Sequence, residues 1–389
     1  MREVCEPTQV VVLGSTGSVG RGALSVLEHQ GPSRLRAFGL GARASWEELT
    51  AQAEAFRPRW IALADPEAAA RVNGRLKGLG VRVLSGPDGL AKMATEPEVD
   101  RVLSAIVGSA GLEATWAAID AGKTVALANK ETLVVAGPLM MELAKRRGVD
   151  VLPVDSEHSA IFQALSAGRT REVKRVVLTS SGGPFRGKTR RELEDATPEQ
   201  ALRHPTWRMG PKISVDSATL MNKALEVIEA RWLFGLEPSQ IEVVVHPESI
   251  VHSMVEFIDG STVAQLSPPD MRLPIQYALT YPDRLESPCA MLDLSRALSL
   301  NFEPPDRETF ACLDLGFEVM SRGGTAGAAL NAANEVAVSR FLDGSIRFLD
   351  IPRACRAALE NHTFDPTPTL DGLRKVDAWA RQEAARWKA

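Results

Sequence analysis

Along the first 150 residues, short aliphatic and β-branched runs alternate with stretches whose apolar residues recur at helical spacing. The runs Gln9–Leu13, Leu35–Leu40, Trp60–Leu63, Val81–Leu84, Arg101–Ile106 and Thr124–Leu127 read as strands. Between them, Ser45–Phe56, Pro66–Lys77, Gly111–Ala121 and Gly137–Arg147 carry the apolar period of helices. Near-continuous apolar strands are covered on both faces, so the alternation predicts βαβ units on a parallel sheet.

Beyond Val151 the pattern is less regular. Val173–Leu178 reads as a strand, Ser217–Phe234 as one helix, and Ile241–Val245, Ile250–Phe257 and Thr262–Gln265 as further strands. After a proline-rich connection (Pro282, Pro288, Pro304, Pro305) the tail turns helical over Phe310–Ser321, Ala326–Phe341, Pro352–Glu360 and Leu370–Trp387, which suits a small bundle. The pattern predicts an α/β sheet domain over 1–150, an α+β domain over 151–285, a linker over 286–309 and a helical domain over 310–389.

Composition narrows the classes of function. The chain has 389 residues, 44% hydrophobic and 24% charged, with 45 Lys+Arg against 49 Asp+Glu. That is an ordinary globular balance with no block of like charge, so neither a nucleic acid nor an anionic membrane is expected as partner. Cys5, Cys289, Cys312 and Cys355 lie far apart without a C-x-x-C pair, which fits a reducing compartment. No run approaches 18 apolar residues and the N-terminus reads straight into a strand, so a cytoplasmic protein is expected.

The segment Leu13-Gly14-Ser15-Thr16-Gly17-Ser18-Val19-Gly20 falls between a strand and a helix. Its glycines let the backbone turn tightly and bring free N–H groups up to a pyrophosphate, the device of Rossmann-like sheets. The spacing G-x-x-G-x-x-G is a variant, and a plain Gly-rich turn is the competing reading. The second strand ends Gly41-Ala42-Arg43-Ala44-Ser45 without a carboxylate for a ribose 2′-OH, while Arg43 could pair with a 2′-phosphate. This favours NADP(H); a solvated surface arginine is the alternative.

Asp155-Ser156-Glu157-His158 follows another strand end. On an extended segment Asp155 and Glu157 project to one side, a donor pair suited to a hard divalent ion such as Mg²⁺ or Mn²⁺. A helix N-cap is the competing use of this segment. The helix over Ser217–Phe234 is apolar over most of its circumference, yet Asn222, Lys223 and Glu226 form one polar stripe on it. Buried Lys and Glu cost several kcal/mol unless paired, by roughly the penalties known for unpaired buried charge. A structural Lys–Glu pair would satisfy the stripe, and so would a metal with an anionic substrate.

Ser181-Gly182-Gly183 follows a strand, where backbone N–H groups and a hydroxyl can seat a phosphate, with Ser217, Asn222 and Lys223 to complete it. His204, His246 and His252 cluster in this stretch. The loop over 203–211, carrying His204, Trp207, Met209 and Gly210, could close over substrate; ordinary core packing of Trp207 is the alternative. Asn129-Lys130-Glu131 stands at a strand's C-terminal end, where α/β sheets place ligands, or else as a salt-bridged surface turn.

Taken together, Gly14–Gly20, Asn129–Thr132, Val154–His158, Ser181–Phe185, His204–Gly210, Val215–Glu229, His246–Ser249 and Leu330–Glu335 resemble, in order and over nearly the whole chain, the 1-deoxy-D-xylulose 5-phosphate reductoisomerases. The resemblance implies a divalent ion (Mg²⁺, Mn²⁺ or Co²⁺) that assists rearrangement of a sugar phosphate, and NADPH that reduces the resulting aldehyde. It implies Asp155, Glu157 and Glu226 as metal ligands, and Lys130 and Ser156 at the substrate's oxygenated end. Ser181, Ser217, Asn222 and Lys223 are implied at its phosphate with His204 close by, and Trp207 and Met209 on the closing loop. Thr16, Gly17, Ser18, Val19, Asn129, Glu131 and Gly210 are implied at NADPH, and a homodimer is implied through the 151–285 domain. His158 and His252 match histidines near the family's site. The segment around Arg43 departs from the family's usual Gly-(Lys or Arg)-Asn. A semialdehyde dehydrogenase is the nearest rival enzyme, but it needs an activated cysteine. A non-catalytic dinucleotide-sensing protein is the rival outside enzymes, and it gives no reason for the stripe on 222–226.

Overall fold

The computed structural model describes residues 6–72, 74–76, 78–295 and 297–388. Cys5 lies outside them, as do Asn73 and Lys77 of the helix expected over Pro66–Lys77, of which Pro66–Val72 is helical. Two compact units interleave in sequence: Met1–Thr132, Met140–Ser159 and Asp270–Ala290 form the first, and Leu133–Leu139, Ala160–Pro269 and Met291–Ala389 the second.

The first unit holds β1 (Thr8–Leu13), β2 (Leu35–Ala42), β3 (Trp60–Leu63), β4 (Arg82–Ser85), β5 (Arg101–Ser104), β6 (Thr124–Leu127) and β7 (Val151–Pro153). They pair in parallel in the order β4-β3-β2-β1-β5-β6-β7. The Rossmann-like sheet expected from the alternation is present, and its central strands are buried as continuous apolar runs, Val10 to Leu13 among them. Chain order reverses between β1 and β5, so a ligand crevice lies outside the carboxyl ends of these strands. Two helices of this unit escaped the periodicity, Gly86–Ala94 and Arg272–Thr280, both nine residues long with an internal proline or glycine. The second returns late in the sequence, fastened where the Arg101 guanidinium donates to the carbonyls of Ala278 and Tyr281.

The second unit holds β8 (Val173–Ser180), β9 (Ile241–Val245), β10 (Val251–Phe257) and β11 (Thr262–Leu266), in the order β11-β10-β8-β9. The helices Met221–Phe234, Cys312–Arg322, Ala326–Leu342, Asp350–Asn361 and Leu370–Arg386 share its cores with the strands. The tail is helical where the proline-bounded pattern placed it.

Three local expectations change. The helix expected over Ser217–Phe234 is two helices, Pro211–Ala218 and Met221–Phe234, because Leu220 adopts φ +58°. The Thr219 hydroxyl holds that joint by donating to the Val215 carbonyl at 3.1 Å and accepting the Met221 N–H at 3.3 Å. Helix Lys130–Arg147 starts seven residues before the expected Gly137, with Asn129 as its N-cap residue; a kink at Ala136, just before Pro138, had masked its period. The segment around Asp155 is not extended: helix Ser156–Leu165 begins directly after it, so Glu157 lies in a helical first turn.

Candidate active site

In the first unit the chemistry-bearing residues gather at strand ends. After β1 the chain turns at Gly14, whose φ of +88° and approach to the Ala105 carbonyl, 2.5 Å from where a Cβ would stand, admit only glycine. The Gly14 and Ser15 amides both donate to the Gly41 carbonyl at 2.8 Å, and the buried Ser15 hydroxyl donates to Gln52 at 2.7 Å. These bonds fix the turn and leave Thr16 to Val19 facing outward or half-buried. Helix Ser18–Gln30 starts with Gly17 as N-cap residue and no side-chain cap, so its first N–H groups and its dipole are offered to an anion. At the end of β2 the Arg43 side chain is exposed while its carbonyl accepts the Asp65 amide at 2.9 Å.

Asn129, at the end of β6, turns its buried side-chain amide onto the carbonyls of Ile106 and Gly108, the latter at 2.9 Å, and so shapes the loop after β5. The next residue, Lys130, is buried and ion-paired to Asp155, itself positioned by β7. Glu131 is buried beside it, and the Ser156 hydroxyl donates to the Glu157 carboxylate. His158 is fully buried on the same helix. Glu157 and Ser156 stand at a helix N-terminus, which favours negative charge.

In the second unit β8 runs into Ser181-Gly182-Gly183. Both glycines have positive φ, and a Cβ on Gly183 would lie 2.5 Å from the Ser217 carbonyl, so this turn sits directly on the end of helix Pro211–Ala218. Ser217 therefore belongs to the last turn of that helix rather than to the start of the next. The Ser181 hydroxyl accepts the Gly183 amide at 3.2 Å and lies 2.9 Å from His204 Nε2. His204 Nδ1 accepts the backbone N–H groups of Thr206 and Trp207 at 3.1 and 2.9 Å. With Nδ1 an acceptor, Nε2 carries the proton and donates to Ser181, a tautomer assigned from these partners. Desolvation holds the imidazole below its ordinary pKa. Trp207 is half-buried, its ring centroid 6.3 Å from that of His252, and Met209 is half-buried too.

Past the Leu220 joint, the expected stripe forms. Asn222 donates to Glu226 Oε1 at 2.5 Å and Lys223 pairs with Glu226 Oε2. Glu226 is 0% exposed and Lys223 2%. His252 contacts Ser267 through its hydroxyl at 2.9 Å. His246 is a loop organiser: its Nε2 accepts the Ile250 and Val251 amides and its Nδ1–H donates to the Asn301 carbonyl at 2.8 Å.

The sequence reading passed over Lys212, Asp216 and Asn334. Asp216 is buried in helix Pro211–Ala218, paired with Lys212 at 2.8 Å and accepting from Asn334 Nδ2 at 2.8 Å. Two asparagines in the alanine-rich run 330–335 were the available clue. The thiols offer no nucleophile among the described residues: burial pushes Cys312 up to about 12, holds Cys355 well above its ordinary value, and raises Cys289. The semialdehyde dehydrogenase reading fails on that chemistry.

Three family models match the chain. The 1-deoxy-D-xylulose 5-phosphate reductoisomerase model matches residues 10–137, its C-terminal domain model 151–234, and a further DXP reductoisomerase C-terminal domain model 266–383. A 1-deoxy-D-xylulose 5-phosphate reductoisomerase of Heliobacterium modesticaldum is 54% identical over 97% of this chain and 96% of its own. One from Pelotomaculum thermopropionicum is 51% identical over 96% of each. Among solved structures, the Zymomonas mobilis reductoisomerase in complex with NADPH superposes with a TM-score of 0.92 at 43% identity, over 98% of both chains. A DOX-P reductoisomerase in complex with NADPH, fosmidomycin and magnesium gives 0.92 at 42% identity, over 97% of both. This chain belongs to the 1-deoxy-D-xylulose 5-phosphate reductoisomerase family.

Proposed function

We propose that this chain converts 1-deoxy-D-xylulose 5-phosphate to 2-C-methyl-D-erythritol 4-phosphate, with NADPH as reductant and a divalent ion as cofactor, in isoprenoid synthesis. The observation that carries the reading is the Asn222–Lys223–Glu226 stripe, a buried, paired anion and cation with a half-buried asparagine on an otherwise apolar helix, together with the Ser181–His204 contact. Stability alone does not call for it, since apolar residues of similar volume hold such a helix as well or better.

Asp155, Glu157 and Glu226 would hold the ion through their carboxylates. Their chemistry fits it: oxygen donors suit Mg²⁺, Mn²⁺ or Co²⁺, and three ligands leave positions for substrate. When bound, the ion supplies Lewis-acid stabilisation of charge on the substrate's ketone and hydroxyl oxygens. Lys130, whose ammonium neutralises Asp155, and Ser156 orient that oxygenated end. Ser181, Ser217, Asn222 and Lys223 hold the phosphate, and His204 keeps the Ser181 hydroxyl aimed by donating to its oxygen. Trp207 and Met209, on the loop that His204 anchors, exclude water once substrate is seated. Thr16, Gly17, Ser18 and Val19 receive the pyrophosphate, Arg43 the 2′-phosphate, Asn129 and Glu131 line the cofactor's path, and Gly210 meets the nicotinamide.

The protein is proposed to work as a cytoplasmic homodimer. Among the described residues strand β11 is an edge of its sheet, β9 carries one isolated bridge from Val245 to Glu303 at its end, and Met291 and Leu294 are exposed in the same unit. No helix of the described residues is long and apolar enough to cross a membrane. Sedimentation at micromolar protein should give twice the chain mass; a monomer contradicts the dimer. For the reaction, the purified chain with the proposed substrate, NADPH and Mg²⁺ should consume the reduced-nicotinamide absorbance and yield the branched phosphate. Consumption without that product would count against the proposed rearrangement.

A further inference from the structure

The run Leu330–Glu335 has no part in the reading above, yet it delivers a buried polar group to the helix that carries Ser217. Asn334 is 0% exposed in helix Ala326–Leu342, and its Nδ2 donates to Asp216 Oδ1 at 2.8 Å. The other oxygen, Oδ2, takes the Lys212 ammonium at 2.8 Å, one turn earlier in helix Pro211–Ala218. Asp216 is 1% exposed and lies next to Ser217, while Lys212 stands two residues past Gly210 at the end of the 203–211 loop. An eight-residue helix has little cohesion of its own, so its rotation and height are set by what it is tied to. Its far end is the Leu220 joint, which no helix hydrogen-bond ladder crosses with regular geometry. A fully buried charge-assisted bond to a neighbouring helix supplies the missing constraint.

We propose that Asp216 is a positioning residue for the phosphate seat: pinned by Asn334 and Lys212, it fixes the helix that presents Ser217 to the Ser181–Gly183 turn and anchors the C-terminal end of the closing loop. His204 and Ser181 anchor the other end, so both hinges of the loop are tied to phosphate-binding residues. The inference rests on the proposed reaction only for its choice of substrate; direct binding of inorganic phosphate reads the seat independently of the chemistry.

The test uses the full chain with Asp216→Asn, Lys212→Gln and the exchanged pair Asp216→Asn/Asn334→Asp. Asp216→Asn should raise KM and the dissociation constant of inorganic phosphate, read by calorimetry without substrate, together by about tenfold, with kcat changed by no more than about threefold. Lys212→Gln, at a partly exposed position, should move both constants in the same direction by a smaller factor. The exchanged pair, which restores the amide-to-carboxylate bond, should recover part of the phosphate affinity. A fall in melting temperature with both constants unmoved in Asp216→Asn and Lys212→Gln would make the cluster merely structural and overturn the proposal. If Asp216→Asn does not fold, unmoved constants in Lys212→Gln overturn it alone. Failure of the wild-type chain to turn over substrate while inorganic phosphate still responds to Asp216→Asn would sink the reaction and spare this inference.

Discussion

His204 shows how one side chain can be tied to two tasks. Its Nδ1 takes two backbone N–H groups from the loop and its Nε2–H reaches Ser181, so protonation would set a third N–H against two donors. Burial opposes the charged form as well, and the imidazole is held below its ordinary value of 6.5. The sign follows: the unfolded chain takes the proton first, so this group's stabilisation is complete above 6.5 and declines as pH falls below it. Ring NMR of the ligand-free protein should show the Nε2–H tautomer and a titration midpoint below 6.5. A midpoint at or above the ordinary value contradicts the assignment. Arg43 is a second residue-scale test. Its exposed guanidinium stands at the end of β2, where no carboxylate competes for a ribose. Arg43→Ala should raise the NADPH dissociation constant about tenfold and leave that of NADH unchanged. If neither constant moves, the 2′-phosphate is held elsewhere.

The joint between helices Pro211–Ala218 and Met221–Phe234 sets two effects against each other. Leu220 is buried at 3% exposure yet held at φ +58°, a conformation that costs a non-glycine residue roughly 1–2 kcal/mol. Leu220→Gly would relieve that strain but lose a buried leucine, a change of about 2–5 kcal/mol by analogy with leucine truncations. Burial wins, so denaturant unfolding should show a net loss of about 1–3 kcal/mol. A stabilised variant would mean the joint is governed by backbone strain instead. This joint was illegible in the sequence because apolar periodicity runs through it without interruption; only a non-glycine left-handed residue breaks the helix, and no pattern announces one. Helix Lys130–Arg147 was legible in its second half alone, since the kink at Ala136 resets the apolar phase. The central strands of the parallel sheet were easier, because burial on both faces writes them as continuous runs, and the ends of the six bounded strands moved by at most two residues.

At the scale of the molecule, the net charge of −4 hides the local chemistry. Lys130 and Lys223 are each buried against a carboxylate, so the composition that excludes a polyanionic partner is compatible with two phosphorylated ligands. The polar stripe was readable because charge on an apolar helix is costly and demands a reason. Asp216 and Asn334 were not, since their meeting joins residues 118 apart and depends on packing that no local spacing encodes. The interleaving of the two units was equally hidden, as Asp270–Ala290 returns to the first unit after more than a hundred residues in the second.

The proposed reaction depends on one buried carboxylate of the 221–234 helix, Glu226, serving the chemistry beyond its pairing with Lys223. Its most direct test compares the wild-type chain with Glu226→Gln, reading turnover of 1-deoxy-D-xylulose 5-phosphate with Mg²⁺ alongside NADPH affinity measured by fluorescence. Turnover should fall by about 100-fold or more, while the NADPH dissociation constant of the folded variant stays close to wild type. Turnover that survives, or a parallel loss of turnover and NADPH binding, would contradict it.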